Sequence, residues 1–216
     1  AAEAAEAAAY KRTVELGLAL QAAGCALLTL HGRTKEQRSM PCDWRAIRAL
    51  KRALSIPVVA NGGVEAPEDV AACLSATEAD GVMSSEAALE NPAIFEGVGA
   101  SRAGQLALAR EYVELARRHP PRCSSVVKAH LFKLLYMALQ AHHGLRVRLG
   151  SASSFAAACD VAEEVIALEE AEAARNPAPM AARCDGPGAP FLTWYRRHRS
   201  DGKQSVAVAG TLAAEA

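Results

Sequence analysis

The chain has 216 residues, 24 basic and 24 acidic side chains, and 49 alanines that supply nearly half of its 51% hydrophobic content. Balanced charge with plain hydrophobic periodicity excludes a fully disordered chain, and the length suffices for one large domain or two small ones with a buried core. No strongly apolar run approaches the roughly 18 residues of a membrane span, and the opening AAEAAEAAAYKR has neither the basic start nor the leucine-rich centre of a secretory signal. The six cysteines lie 17 to 50 residues apart with no CxxC pair, so free, mostly buried thiols are expected and no metal site is. The neutral total hides an asymmetry: residues 1–100 carry net −4 and residues 101–216 net +4.

In chain order, Val14–Ala23 has the pattern of a helix ended by Gly24. Ala26–Leu30 is an apolar run of strand length. Asp43 is placed to cap a helix whose Trp44, Ile47, Leu50 and Leu54 share one face. Ile56–Ala60 predicts a second strand. Pro67 opens a helix with Glu68 and Asp69 in its first turn and an apolar face of Val70 and Leu74. Gly81–Met83 predicts a third strand, and Asn91-Pro92 reads as the cap and first residue of the next helix. Strand followed by helix, three times over, is the rhythm of βα units in a parallel sheet.

The second half reads as helices: Leu106–Arg118, broken by His119-Pro120-Pro121; one long helix over Ser125–His143; and Phe155–Arg175, stopped by Asn176-Pro177. The apolar face of the long helix is Val127, Leu131, Leu134, Leu135 and Ala138. Adjacent His142 and His143 point different ways on a helix and are expected to be solvated rather than to chelate a metal. An irregular tail follows, with a basic-aromatic knot at Trp194-Tyr195-Arg196-Arg197-His198-Arg199.

Polar chemistry gathers at the strand ends, where α/β sheets place their sites. His31-Gly32-Arg33-Thr34 offers an imidazole and a guanidinium suited to a phosphate or an anionic ring edge, and equally suits a plain turn. Asn61-Gly62-Gly63 offers either a nest of backbone N–H groups for an anion or a tight turn with positive φ. Ser84-Ser85-Glu86-Ala87 closes the third unit, with backbone contacts at Ser85 and Glu86 better suited to phosphate than the Glu86 carboxylate. Arg122, Lys128, Lys133, Arg146 and Arg148 fit an RNA-phosphate surface or an ordinary solvated face.

LLTLHGRTKEQR (Leu27–Arg38), IPVVANGGV (Ile56–Val64) and ADGVMSSEAALENPAIFEG (Ala79–Gly97), in that order, resemble the tRNA-dihydrouridine synthases, most of all the eukaryotic type-1 branch acting on U16 and U17. The similarity runs from about Thr13 to Gly150, with SSVVKAHLFKLLYMALQ resembling that branch's helical domain and PFLTWYRRHR resembling its tail only faintly. The resemblance implies an α/β fold: the C-terminal part of an FMN-binding (β/α)8 TIM barrel, about three βα units over residues 1–100, then an all-α helical tRNA-binding domain over 101–175 and a basic tail over 176–216. It implies FMN as cofactor, NADPH as reductant and tRNA as partner, with no DNA, membrane or metal, in cytoplasm or nucleus. His31, Arg33, Asn61, Gly62 and Gly63 match the family's flavin-phosphate positions, with Ser85 and Glu86 contributing through backbone N–H groups. In the family, hydride passes from reduced flavin to C6 of uracil and a cysteine protonates C5.

No cysteine of this chain fits that role, since Cys25 starts a strand and Cys42 lies in a loop before a helix. The three units match the sixth to eighth of the barrel, so we expect a C-terminal portion that neither holds flavin tightly nor catalyses alone. Two other readings stand beside it: a noncatalytic tRNA-binding remnant, and part of another phosphate-binding TIM barrel with a phosphosugar ligand.

Overall fold

The computed structural model describes residues 8–37, 40–177 and Trp194. The tail expected over 176–216, Trp194 apart, therefore lies almost wholly outside the described residues, as does Cys184. The chain forms two compact units, one ending at Ser84 and one beginning at Ser85, ahead of the boundary expected at residue 100.

The first unit is a parallel sheet of β1 (Leu28–His31), β2 (Val58–Asn61) and β3 (Gly81–Met83), ordered β1-β2-β3. The crossovers are α2 (Trp44–Ala53) and α3 (Pro67–Thr77), preceded by α1 (Lys11–Ala22). β1 and β2 end later than the apolar runs alone predict, because pairing continues to His31↔Asn61 and Gly32 N–H still donates to the Asn61 carbonyl at 3.2 Å. His31 and Asn61 are thus strand residues at the carboxyl edge.

Asp43 caps α2 as expected: its Oδ1 accepts the Arg45 N–H at 3.2 Å, while its Oδ2 accepts the Tyr10 hydroxyl. Trp44, Ile47, Leu50 and Leu54 are all buried, with Val58 and Ala60 of β2 beside them in the core. Full burial of a side chain such as Ile47 contributes about 1.5–3 kcal/mol. In α3 the expected face is turned slightly: Cys73 and Thr77 are fully buried, and Val70 and Leu74 only half-buried. Thr77 meets its burial by donating to the Cys73 carbonyl at 2.7 Å. Asp69 at the start of α3 accepts the N–H groups of Glu65 and Ala66, both at 2.9 Å.

Two side chains tie loops to this sheet. Asp80 accepts the Val58 N–H at 2.7 Å and pairs with Lys51. The Gln21 side-chain carbonyl, near the end of α1, accepts from Ser55 N–H, Ser55 Oγ and Ile56 N–H at 2.9–3.2 Å.

The second unit is helical: α4 (Glu86–Glu90), α5 (Arg102–Arg118), α6 (Ser124–Leu134), α7 (Tyr136–Ala141), α8 (His143–Ser151) and α9 (Phe155–Arg175). Ser101 and Ser154 cap α5 and α9 through their hydroxyls. One continuous core joins α5, α6, α8 and α9 through Val113, Leu131, Leu149 and Val165. Ala109, Ala158 and Ala162 are wholly buried within it, so part of the alanine excess serves close helix approach.

The single helix expected over 125–143 breaks at Leu135 and His142. Its apolar rhythm hides the first break, because Leu135 N–H still reaches the Leu131 carbonyl and Leu139 N–H the Leu135 carbonyl. Asn91 caps no helix through its side chain; a 3-10 turn follows over Pro92–Glu96, and Asn91 Nδ2 instead donates to the Val98 carbonyl at 2.8 Å. His142 is not a solvated helix-end residue. Its Nε2 lies 2.8 Å from Glu169, whose carboxylate is 1% exposed and also accepts two hydrogen bonds from Arg102. A carboxylate that deeply buried requires such partners.

The described cysteines, Cys25, Cys42, Cys73, Cys123 and Cys159, are free thiols, as expected. Burial pushes the Cys73 thiol up to about 12, which makes it a packing group.

Candidate phosphate site at the sheet's carboxyl edge

His31 ends β1, and its register partner is Asn61 at the end of β2. Both glycine loops therefore leave the sheet side by side. Gly62 and Gly63 take φ of +100° and +79°, the left-handed region that glycine alone adopts readily. Both the nest and the turn readings of NGG foresee that conformation. Among the described residues, no backbone carbonyl accepts the Gly62, Gly63 or Val64 N–H groups. They are donors at the carboxyl edge of a parallel sheet, the arrangement that suits an anion.

Two further groups join them. Arg33 N–H donates to His31 Nδ1 at 3.1 Å, which assigns the proton of the neutral ring to Nε2. Loss of water from part of the ring, and then the positive charge of Arg33, lower the His31 pKa below the ordinary 6.5. At neutral pH the ring is thus an uncharged Nε2–H donor. Arg33 is oriented by its own Nε, which donates to the Met40 carbonyl at 2.6 Å. A neutral donor, a guanidinium and a set of backbone amides together suit a phosphate monoester.

The support beneath the loops comes from Pro41-Cys42-Asp43-Trp44, which sequence reading treated only as a helix entry. A Cβ on Gly32 would lie 2.6 Å from Cys42 Sγ and 2.7 Å from the Asp43 carbonyl oxygen. One on Gly62 would lie 2.9 Å from His31 Cε1 and 3.0 Å from Cys42 Sγ. Buried Cys42 is wedged between the loops, and Trp44 Nε1–H donates to the Gly62 carbonyl at 3.0 Å. The sequence signal for this role was the glycines themselves, since small residues in two neighbouring loops imply something packed against them.

The model for dihydrouridine synthase matches residues 5–176. The chain belongs to the dihydrouridine synthase family. It is 45% identical over 142 residues to a mouse tRNA-dihydrouridine(16/17) synthase-like protein, covering 64% of this chain and 29% of that one. The rat counterpart is 40% identical over 179 residues, covering 81% and 38%, and the budding-yeast tRNA-dihydrouridine(16/17) synthase is 31% identical over 157 residues, covering 67% and 37%. The chain thus spans about 29–38% of the length of these relatives.

Of the residues singled out in sequence, His31, Arg33, Asn61, Gly62 and Gly63 share this edge. Ser84 adjoins it, its Oγ donating to the Val64 carbonyl at 3.4 Å. Ser85 and Glu86 are exposed at the start of α4 in the second unit, where Ser85 makes no capping bond through its side chain. The basic residues are mostly engaged within their own unit. Lys128 Nζ donates to the Gly150 and Ala152 carbonyls at 3.0 and 3.1 Å. Lys133 Nζ donates to the Ala129 carbonyl and lies 4.9 Å from the Trp194 ring centroid, a cation–π distance. Arg146 bonds Gln140, Arg148 pairs with Glu164, and Arg122 is exposed after the Pro120-Pro121 break.

Proposed function

We propose that this chain supplies the flavin-phosphate site and a helical RNA-contacting unit of an FMN-dependent, NADPH-linked tRNA-dihydrouridine synthase acting on uridine 16 or 17 of the D-loop, the positions in the names of its relatives. In this reading its three βα units are the C-terminal part of a (β/α)8 barrel. The carrying observation is that His31, an Nε2–H donor, pairs in register with Asn61 at the carboxyl edge, so that the amides of Gly62, Gly63 and Val64 follow beside it and Arg33 stands two residues beyond His31. That set fits the phosphate end of FMN. Gly63 and Val64 present N–H groups to the phosphate oxygens, Arg33 balances their charge, and His31 donates without adding a second charge. FMN, when bound and reduced by NADPH, would supply the hydride for C6 of uracil, and saturation of the C5–C6 bond takes a proton besides. The protein's part here is to bind and orient.

The noncatalytic reading draws on the +4 balance of residues 101–216. Within the helical unit Arg110, Arg117 and Arg148 are already engaged by Glu170, Asp160 and Glu164, so these guanidinium groups do not stand open to RNA phosphates. Two measurements test the proposal: binding of added FMN, read by quenching of flavin fluorescence, and mass-spectrometric dihydrouridine at positions 16 and 17 of tRNA from cells lacking the protein. Loss of the modification, and weak FMN binding that Gly63→Asp removes, are expected. Unchanged dihydrouridine together with no binding of added FMN would overturn it.

A further inference from the structure

Gly62 and Gly63 leave one peptide group with little intrinsic preference. Glycine on both sides lets the plane between them rotate with small penalty, since positive and negative φ are both open to it. In a planar trans peptide the carbonyl and the N–H point in opposite directions. Whatever holds the Gly62 carbonyl therefore decides where the Gly63 N–H points.

The holder is Trp44. Its Nε1–H donates to the Gly62 carbonyl at 3.0 Å. Its ring also floors the next residue: a Cβ on Gly63 would lie 3.1 Å from Trp44 Nε1 and 3.4 Å from Cε2. Trp44 is itself fixed as a buried residue in the first turn of α2, directly after the Asp43 cap. Cys42 closes the other side, 2.9 Å from the same Gly63 position.

We propose that Trp44 is a positioning residue that locks the Gly62–Gly63 peptide so that the Gly63 N–H faces outward, toward the phosphate of the bound mononucleotide. The tryptophan touches no ligand. It acts through the peptide, and its indole N–H is the part that matters. This rests on the phosphate site proposed above, and it adds the group that gives that site its handedness. The recognisable ligand chemistry is a dianionic phosphate monoester met by a pre-aimed backbone amide.

Two variants of the full chain test the lock: Trp44→Phe, and Trp44 replaced by benzothienylalanine, which keeps the bicyclic shape and lacks the N–H. Glycine is labelled with nitrogen-15, the Gly63 amide resonance is followed on adding FMN or inorganic phosphate, and FMN affinity is read by fluorescence quenching. In the parent protein both probes move the Gly63 resonance. In the benzothienylalanine variant, with its unfolding midpoint near that of the parent, FMN binding weakens roughly 3- to 10-fold, the worth of one net hydrogen bond. The Gly63 response shrinks with it. Parental affinity and parental Gly63 response in both variants overturn the lock and leave the phosphate site standing. A Gly63 resonance that neither probe moves in the parent protein overturns the site and the lock together.

Discussion

The two units of this chain are specified by different physics. The sheet unit depends on backbone closeness: Gly32, Gly62 and Gly63 fit against Cys42, Asp43 and Trp44 with no room for a Cβ. The helical unit depends on side chains, with a continuous apolar core and paired charges joining α5 to α9 at Arg102–Glu169, Arg110–Glu170 and Arg117–Asp160. The first kind of order is intolerant at a few small residues and silent elsewhere. The second is spread over many contacts and fails sharply only where a charge is buried.

The largest effect expected is in the helical unit. Glu169→Ala leaves Arg102 and His142 facing an empty interior, and urea unfolding should show a loss of about 3–5 kcal/mol. Glu170→Ala, one residue along α9 and half exposed, should cost less than about 1 kcal/mol. Equal losses at the two sites would erase the distinction between buried and surface pairs.

Next comes the sheet unit. Gly32→Ala drives a methyl toward the Asp43 carbonyl, and the strain should cost about 1–3 kcal/mol. Gly24 provides the control, because its φ of +95° is unfavourable for alanine but nothing lies within 4 Å of the added Cβ. Gly24→Ala should lose only the conformational part, about 1 kcal/mol. A Gly24→Ala loss as large as that of Gly32→Ala would mean φ, and not crowding, sets the sheet unit's intolerance. Of the same size as the Gly24 loss, Ser154→Ala removes the hydroxyl that accepts the Ala157 N–H and should lower stability by about 1 kcal/mol in thermal unfolding.

Acid should touch both units mildly. His31 and His130 each have pKa values lowered from 6.5, mainly by loss of water around the ring. The unfolded chain therefore binds protons at a pH where the folded chain does not. Their contribution is complete above about pH 6.5 and declines as pH falls through the folded values. His130 Nδ1 lies 2.8 Å from the Tyr112 hydroxyl, a contact the neutral ring makes as acceptor or donor according to its tautomer and the charged ring only as donor. Replacing each by glutamine and comparing unfolding midpoints at pH 7.5 and 5.5 should flatten the pH dependence in two separate steps.

The sequence made the sheet unit's order readable because each strand is a short apolar run followed by polar or small residues, and each crossover opens with a cap or a proline. The same letters concealed the support of the glycine loops. Cys42 and Trp44 act on residues 10 to 21 positions away, and no periodicity links them. In the helical unit, α6 and α7 read as one helix because the apolar spacing at Leu131, Leu135 and Leu139 persists through the interruption at Leu135. His142 could not be matched to Glu169 across 27 residues of helix and turn by any local rule.

One contact described with the sheet changes how exchange measurements on this protein are to be interpreted. The Ser55 and Ile56 amides sit just before β2, yet their acceptor is the side chain of Gln21 in α1. Slow deuterium uptake at those two amides therefore reports the docking of the leading helix, not the strand that follows them. Gln21→Leu would speed exchange there while Val58, whose N–H is held by Asp80, stays protected. Two amides that look like sheet probes are a gauge of whether α1 is in place.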